Sequence, residues 1–163
     1  MKQRMAGLMA GAIFGSVLGF GLGLATFPKL FPVLMSAGSA AAPMGAVLAE
    51  GRFVQADPKD PIHYGAGTLT VSQTRLELGA DFEVGPGPGY RLWLTPLAEV
   101  GPDTRVDESM FVDLGPLQGF AGTQGYAIPT GVDLGLYPTV VVWSTHFNVL
   151  ISSAALRPVA RAR

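Results

Sequence analysis

His63 and His146 are the only imidazoles in the chain, so acid–base or transition-metal chemistry at neutral pH would be built around them. They lie 83 residues apart, and only the fold can bring them together. His63 follows the turn-rich run Asp57-Pro58-Lys59-Asp60-Pro61-Ile62 and precedes Tyr64-Gly65. His146 sits in Trp143-Ser144-Thr145-His146-Phe147, a tight connection between two apolar runs. Each is a ligand or recognition residue if it faces a site, and a loop anchor bonded to nearby backbone otherwise; the residue pattern favours the anchor. The two histidines with Met110 or an Asp would suit copper, yet no spacing enforces that set. Ser144, His146 and an Asp are the residue types of a hydrolytic triad, but Gly-x-Ser-x-Gly around Ser144 and an oxyanion loop are both missing. Asp57, Asp60, Asp103, Asp107 and Glu108 fall in loop-like stretches without EF-hand spacing. Gly65-Ala66-Gly67 lacks the third glycine and the following helix of a dinucleotide loop.

The chain contains no cysteine, which excludes disulfides, zinc-thiolate sites, iron–sulfur clusters, thiol nucleophiles and a lipoprotein anchor together. No catalytic residue, metal or cofactor is expected from the residues themselves. With 163 residues, 14% charged side chains and a net charge of −1, the sequence describes one folded unit plus an appendage and offers nucleic acid no basic stripe. Residues 51–156 hold five Lys or Arg against eleven Asp or Glu, a net −6, while Arg157, Arg161 and Arg163 make residues 157–163 a basic tail.

The elements that must position these residues read as β. Beyond Ala46, apolar stretches are short, rich in Val, Leu, Phe and Tyr, and punctuated by Gly or Pro. Eight strands are expected, near Val47 to Gln55, Gly67 to Ser72, Arg75 to Leu78, Tyr90 to Thr95, Met110 to Leu114, Tyr126 to Ile128, Thr139 to Ser144 and Phe147 to Ala154. Apolar residues alternate in Thr68-Leu69-Thr70-Val71-Ser72 and in Arg75-Leu76-Glu77-Leu78, as half-buried strands of a hairpin require. Val140-Val141-Val142-Trp143 is apolar on both faces and predicts a central strand covered on each side. Gly85-Pro86-Gly87-Pro88-Gly89 holds neither helix nor ladder and must be a loop. Trp93, Trp143, Tyr64, Tyr90, Phe111 and Phe120 would line a pocket if gathered, but aromatic residues at strand positions read first as core.

The N-terminus is different. Met5 to Phe27 has no ionisable side chain and, at about 1.5 Å per residue, spans a hydrocarbon core as a transmembrane helix. Lys2 and Arg4 before it, against Lys29 after it, set the N-terminus in the cytoplasm and export the remainder. The apolar run is too long for a cleaved signal peptide, and Pro43 would hinder cleavage after Ala40-Ala41-Ala42. Gly7, Gly11, Gly15, Gly19 and Gly23 recur every four residues, a smooth stripe against which a second helix would pack. Residues 1–28 are thus read as the anchor, 29–45 as a Pro/Ala/Gly/Ser-rich linker, 46–156 as the domain and 157–163 as the tail.

Three ordered stretches carry a family resemblance: Asp113-Leu114-Gly115-Pro116-Leu117-Gln118-Gly119, Tyr126-Ala127-Ile128-Pro129-Thr130-Gly131-Val132-Asp133 and Tyr137-Pro138-Thr139-Val140-Val141-Val142-Trp143. Gly51-Arg52-Phe53, His63-Tyr64-Gly65-Ala66-Gly67-Thr68, Asp81-Phe82 and Gly87-Pro88-Gly89-Tyr90-Arg91-Leu92 precede them in matching order. Over Gly51 to Leu156 the chain resembles a DM-thirteen domain, the kind found in Knickkopf-type cuticle proteins and in small bacterial membrane-anchored proteins. The resemblance implies a small antiparallel β-sandwich. It also implies an electron-transfer role centred on a Cys directly after the Trp of the last-but-one strand, with haem or a redox metal as its cofactor. That position here is Ser144, which is neither a thiolate ligand nor a redox thiol.

The expectation is therefore an all-β sandwich of about eight strands behind one membrane helix, acting as a non-catalytic binding or structural module of a bacterial cell envelope. Its partners would be the membrane, another copy through the glycine stripe, and an envelope protein or polymer. Ligand contact is expected at His63, Tyr64, Trp143, Ser144 and His146. The alternative is a redox domain that contacts a cofactor or a partner electron carrier.

Overall fold

A computed structural model describes residues 15, 16, 19, 45–60 and 62–159. Residues 1–35 and 36–163 form separate units. Gly15, Ser16 and Gly19 are helical and exposed, and a Cβ on either glycine would meet nothing within 4 Å. The remainder of the expected membrane helix, with Gly7, Gly11 and Gly23, lies outside the described residues, as do the linker up to residue 44 and the end of the tail. Among the described residues no helix is long and apolar enough to cross a membrane.

The domain is an antiparallel sheet of nine strands: β1 (Val47–Gln55), β2 (Gly65–Ser72), β3 (Arg75–Leu78), β4 (Glu83–Val84), β5 (Tyr90–Thr95), β6 (Val112–Pro116), β7 (Gln124–Ala127), β8 (Thr139–Ser144) and β9 (Val149–Pro158). The order is β6-β5-β8-β9-β1-β2-β3-β7, with β4 paired to the start of β2. The expected two-layer arrangement needs one correction. The layers are not separate sheets, because β9 belongs to both. It pairs with β8 from Val149 to Ala155 and with β1 from Ser152 to Pro158, so a single path rolls into a nearly closed barrel. The bulge that fits β9 to both neighbours falls at Ile151, where Val142 faces Ser152 but Trp143 faces Leu150.

Burial explains why each strand sits where it does. Phe53, Leu69, Val71, Leu76 and Leu78 from one half meet Leu92, Leu94, Val140, Val142, Ile151 and Ala154 from the other in the interior. Val141 and Trp143 point from β8 to the opposite side and pack with Trp93, Val106 and Leu150 under Leu97 and Val100. Strand β8 is buried along its whole length, as its uninterrupted apolar run predicts. Gly67 shows how closely the wall is packed: its φ is +121°, and a Cβ there would overlap the backbone of Phe82.

The barrel closes between β6 and β7 through side chains instead of a ladder. Gln124 is fully buried, and its Oε1 accepts from the Gln118 N–H (2.9 Å), the Gly119 N–H (3.2 Å) and the Tyr126 hydroxyl (2.8 Å). Its Nε2 donates to the Gly119 carbonyl at 2.8 Å. One amide thus satisfies the turn after β6 from a position on β7, and burial pushes the Tyr126 phenol up to about 12. Gln124→Ala strands these donors and acceptors in the interior. It is expected to cost about 3 kcal/mol in urea unfolding, with the slope m unchanged.

Candidate functional site

Three loops meet at one end of the barrel. They are the segment between β1 and β2, the Gly85–Gly89 turn before β5, and the Ser144–Asn148 connection of the β8–β9 hairpin. The end of β1 holds the first loop, since the Gln55 side-chain amide donates to the carbonyls of Asp57 and Asp60. Asp60 then organises the turn: its Oδ1 accepts from the backbone of Ile62 (2.8 Å) and His63 (3.1 Å), and its Oδ2 lies 2.6 Å from His63 Nδ1. These bonds, the His63 ring foremost, lower the Asp60 carboxyl to about 2. Tyr64 joins the first loop to the second, with its carbonyl accepting from the Gly85 N–H at 2.9 Å. Its hydroxyl donates to Glu83 Oε1 at 3.1 Å, and that carboxylate raises the phenol's pKa.

The second and third loops are sewn together at Gly89. Its carbonyl accepts from the N–H and from the hydroxyl of Thr145, both at 3.0 Å, and its φ is +67°. A Cβ there would stand 2.9 Å from Thr145 Oγ1 and 3.2 Å from the His146 nitrogen, so both the φ and the close approach call for glycine. Ser144 is fully buried. Its hydroxyl donates to the Pro88 carbonyl at 3.1 Å and accepts from the Phe147 N–H at 3.4 Å. His146 is not among the hydrogen-bond partners of Ser144, so the triad geometry is missing. Phe147 is 55% exposed, with its ring edge-on to both His63 (centroids 6.4 Å) and His146 (5.7 Å). A cleft of about 280 Å³ beside it is lined by Asp57, Asp60, His63, Asp103 and Phe147. A larger hollow of about 650 Å³ lies on another face, over Glu50, Arg52, Val54 and Arg157.

The structure therefore gathers His63, Tyr64, Ser144 and His146 at one end of the barrel, whereas the Trp143 ring turns to the other face of β8. There it stacks on Trp93 with centroids 5.6 Å apart and planes 19° apart. Trp93 in turn stacks on Phe111 at 3.9 Å and 11°. Residue alternation reads both tryptophans as core, which holds, but the stack itself escapes it. The available signal is register: Arg91 faces Trp143 and Trp93 faces Val141 across β5 and β8, so the two indoles are diagonal neighbours on one face.

A model of the family described as Electron transfer DM13 matches residues 59–156, more than half of the chain. The chain belongs to the DM13 family. Against the curated proteins and the solved structures, nothing matches. The matched part of the DM13 domain runs from Lys59, within the first loop, to Leu156 near the end of β9, and contains the second and third loops whole, while β1 precedes it.

Position 144 of this DM13 domain does not fit a haem or redox metal, because the Ser144 hydroxyl is held by backbone on both sides. Asp60 holds His63 Nδ1, which leaves Nε2 as the nitrogen of that ring able to ligate. Among the described residues no three carboxylate or imidazole side chains converge as a ligand set.

The Asp60–His63 pair fixes a pH dependence. Asp60 has a folded pKa below its ordinary 3.8, so its contribution to stability is complete above that value and is lost as pH falls from 3.8 to about 2. His63→Gln should return the Asp60 carboxyl toward 3.8 in an NMR titration and flatten the acid limb of the stability curve.

Proposed function

We propose that this DM13 domain acts as a non-catalytic binding and structural module of the cell envelope, held by an N-terminal membrane anchor with the N-terminus in the cytoplasm and the domain outside. One observation carries the non-catalytic part: the position where the family resemblance implies a reactive thiol is a buried serine whose hydroxyl ties two loops together. A hydroxyl used in this way positions backbone and offers nothing to a substrate. The same tie leaves an exposed contact face, where Phe147 and Ile62, at 55% and 65% exposure, flank His63. An apolar, aromatic rim with polar groups between suits an envelope protein or polymer. The anchor and the orientation rest on the uncharged run Met5 to Phe27 and its flanking basic residues.

The electron-transfer reading is favoured by a different observation, the stack of two indoles and Phe111 behind the surface. The two readings part on a spectrum. The full chain, purified in detergent from its native membrane without chelators, is expected to be colourless and free of stoichiometric haem or redox metal. A stoichiometric chromophore would overturn the non-catalytic reading. In co-sedimentation with isolated envelope material, Phe147→Asp should lose retention. Ser144→Ala should keep it, at a cost of about 1 kcal/mol in stability.

A further inference from the structure

The aromatic stack has a direction. Phe111 is 37% exposed, Trp93 behind it is 4% exposed, and Trp143 behind that is 1% exposed, so three near-parallel rings lead from solvent to the C-terminal end of β8. Ordinary core packing favours edge-to-face as readily as stacked pairs, as Phe53 with Phe82 and Tyr90 with Phe120 show in the interior of this domain. Here two successive pairs lie within 19° of parallel, with the Phe111–Trp93 rings face to face and the two indoles stacked at 5.6 Å.

The indole nitrogens add an independent observation. Trp93 Nε1 and Trp143 Nε1 are both buried without a hydrogen-bond partner; Val106, Val141, Leu150, Ala56, Leu97 and Val100 pack around the indoles, and the register sets Asp113 opposite Trp93 and Arg91 opposite Trp143. Leaving two N–H groups unpaired is costly in a settled core. It has a chemical effect, however: an indole that loses an electron becomes strongly acidic at its N–H, and with no hydrogen-bonded acceptor it has no direct route to lose its proton.

We propose that Phe111, Trp93 and Trp143 form a one-electron relay between the protein surface and the buried C-terminal end of β8. This rests on the electron-transfer reading above. A strong one-electron oxidant, of the class of oxygen-centred radicals or high-potential metal complexes, meets the exposed edge of Phe111 and takes one electron from the Trp93 indole. Phe111, far harder to oxidise, serves as the π contact and not as a carrier. Trp143 then returns an electron to Trp93 and is left as the radical cation. No covalent bond of the protein forms or breaks, and no proton leaves either Nε1. A phenol or quinol donor then gives one electron to the radical cation and its hydroxyl proton to water, leaving an oxygen-centred radical and restoring the starting state of the domain; the oxidant gains one electron, and the donor loses one electron and one proton.

Flash photolysis of the full chain in detergent tests this, with a photo-oxidised ruthenium polypyridyl complex as the oxidant. The expected transient is the visible absorption of the indole radical cation, decaying without a solvent deuterium isotope effect. Trp93→Phe should lose the transient, because Trp143 is then cut off from the surface. Trp143→Phe should keep it with a shortened lifetime, because the second site for the hole is gone. A neutral indole radical from the start, or a marked isotope effect in the wild-type chain, overturns the sealed relay without relying on any variant. An unchanged yield in a folded Trp93→Phe protein overturns it as well. If the relay fails in these ways while a purified chain still carries a stoichiometric chromophore, electron transfer survives and only its path through the indoles is lost.

Discussion

Everything in this domain hangs on β9 making two ladders at once. A strand of ten residues is long for a small barrel, and its two edges serve different neighbours over overlapping halves. Ser152 stands in the overlap. Its hydroxyl donates to the carbonyl of Val54 at 2.8 Å and approaches that of Gly65 at 3.2 Å, so one short side chain ties the first, second and last strands together. Gly65 accommodates this because a Cβ there would collide with Ser152. The bulge at Ile151 gives β9 the added twist it needs to leave one half of the barrel and join the other.

Two consequences follow for the surface. Because β5 and β8 sit in the middle of one half and are covered on both sides, their outward residues need a lid, which the loop carrying Leu97, Val100 and Val106 supplies. The indoles are buried by that lid and not by the barrel interior. At the end of the barrel, the opposite solution holds: no lid covers the three loops, and backbone bonds to Gly85, Pro88 and Gly89 hold them instead. Loops fastened by their own backbone with Phe147 exposed at the tip are the result, and under the binding role proposed above such fastening would lower the entropy cost of ordering them on a partner.

Much of this was legible in the sequence. The bounds of Val47–Gln55, Arg75–Leu78, Tyr90–Thr95 and Thr139–Ser144 follow directly from apolar runs ending at turn residues. The apolar run predicts a last strand ending at Ala154, with Arg157 opening the basic tail. Yet Leu156, Arg157 and Pro158 pair with Gly51, Glu50 and Ala49, and these pairs merge the expected two layers into one path. Met110 and Phe111 were read into β6 for their apolarity, but Phe111 leaves the ladder to stack on Trp93, and β6 instead runs on through a bulge to Pro116. The two-residue β4 has no periodicity to detect. Gln124 lies outside the strand expected near Tyr126 to Ile128, and only the turn at residues 117–119 makes its burial favourable. The convergence of His63, Tyr64, Ser144 and His146 was inferred from family order, whereas Phe147 and Asp60, which set its geometry, carry no signal beyond their positions in turns.

The pairing of β1 with β9 also settles how the domain bears load. Its chain enters at Val47 and leaves at Pro158 on adjacent antiparallel strands, so both ends emerge together, and the three loops lie at the far end of those strands. Tension between the segment before β1 and something gripped by the loops runs along the strand axis. It pulls β1 lengthwise against β2 on one edge and β9 on the other, loading all of those hydrogen bonds in parallel instead of peeling them one at a time. A domain wired in this way resists shear between its entering strand and its three loops, and it gives way easily only when its two chain ends are drawn apart.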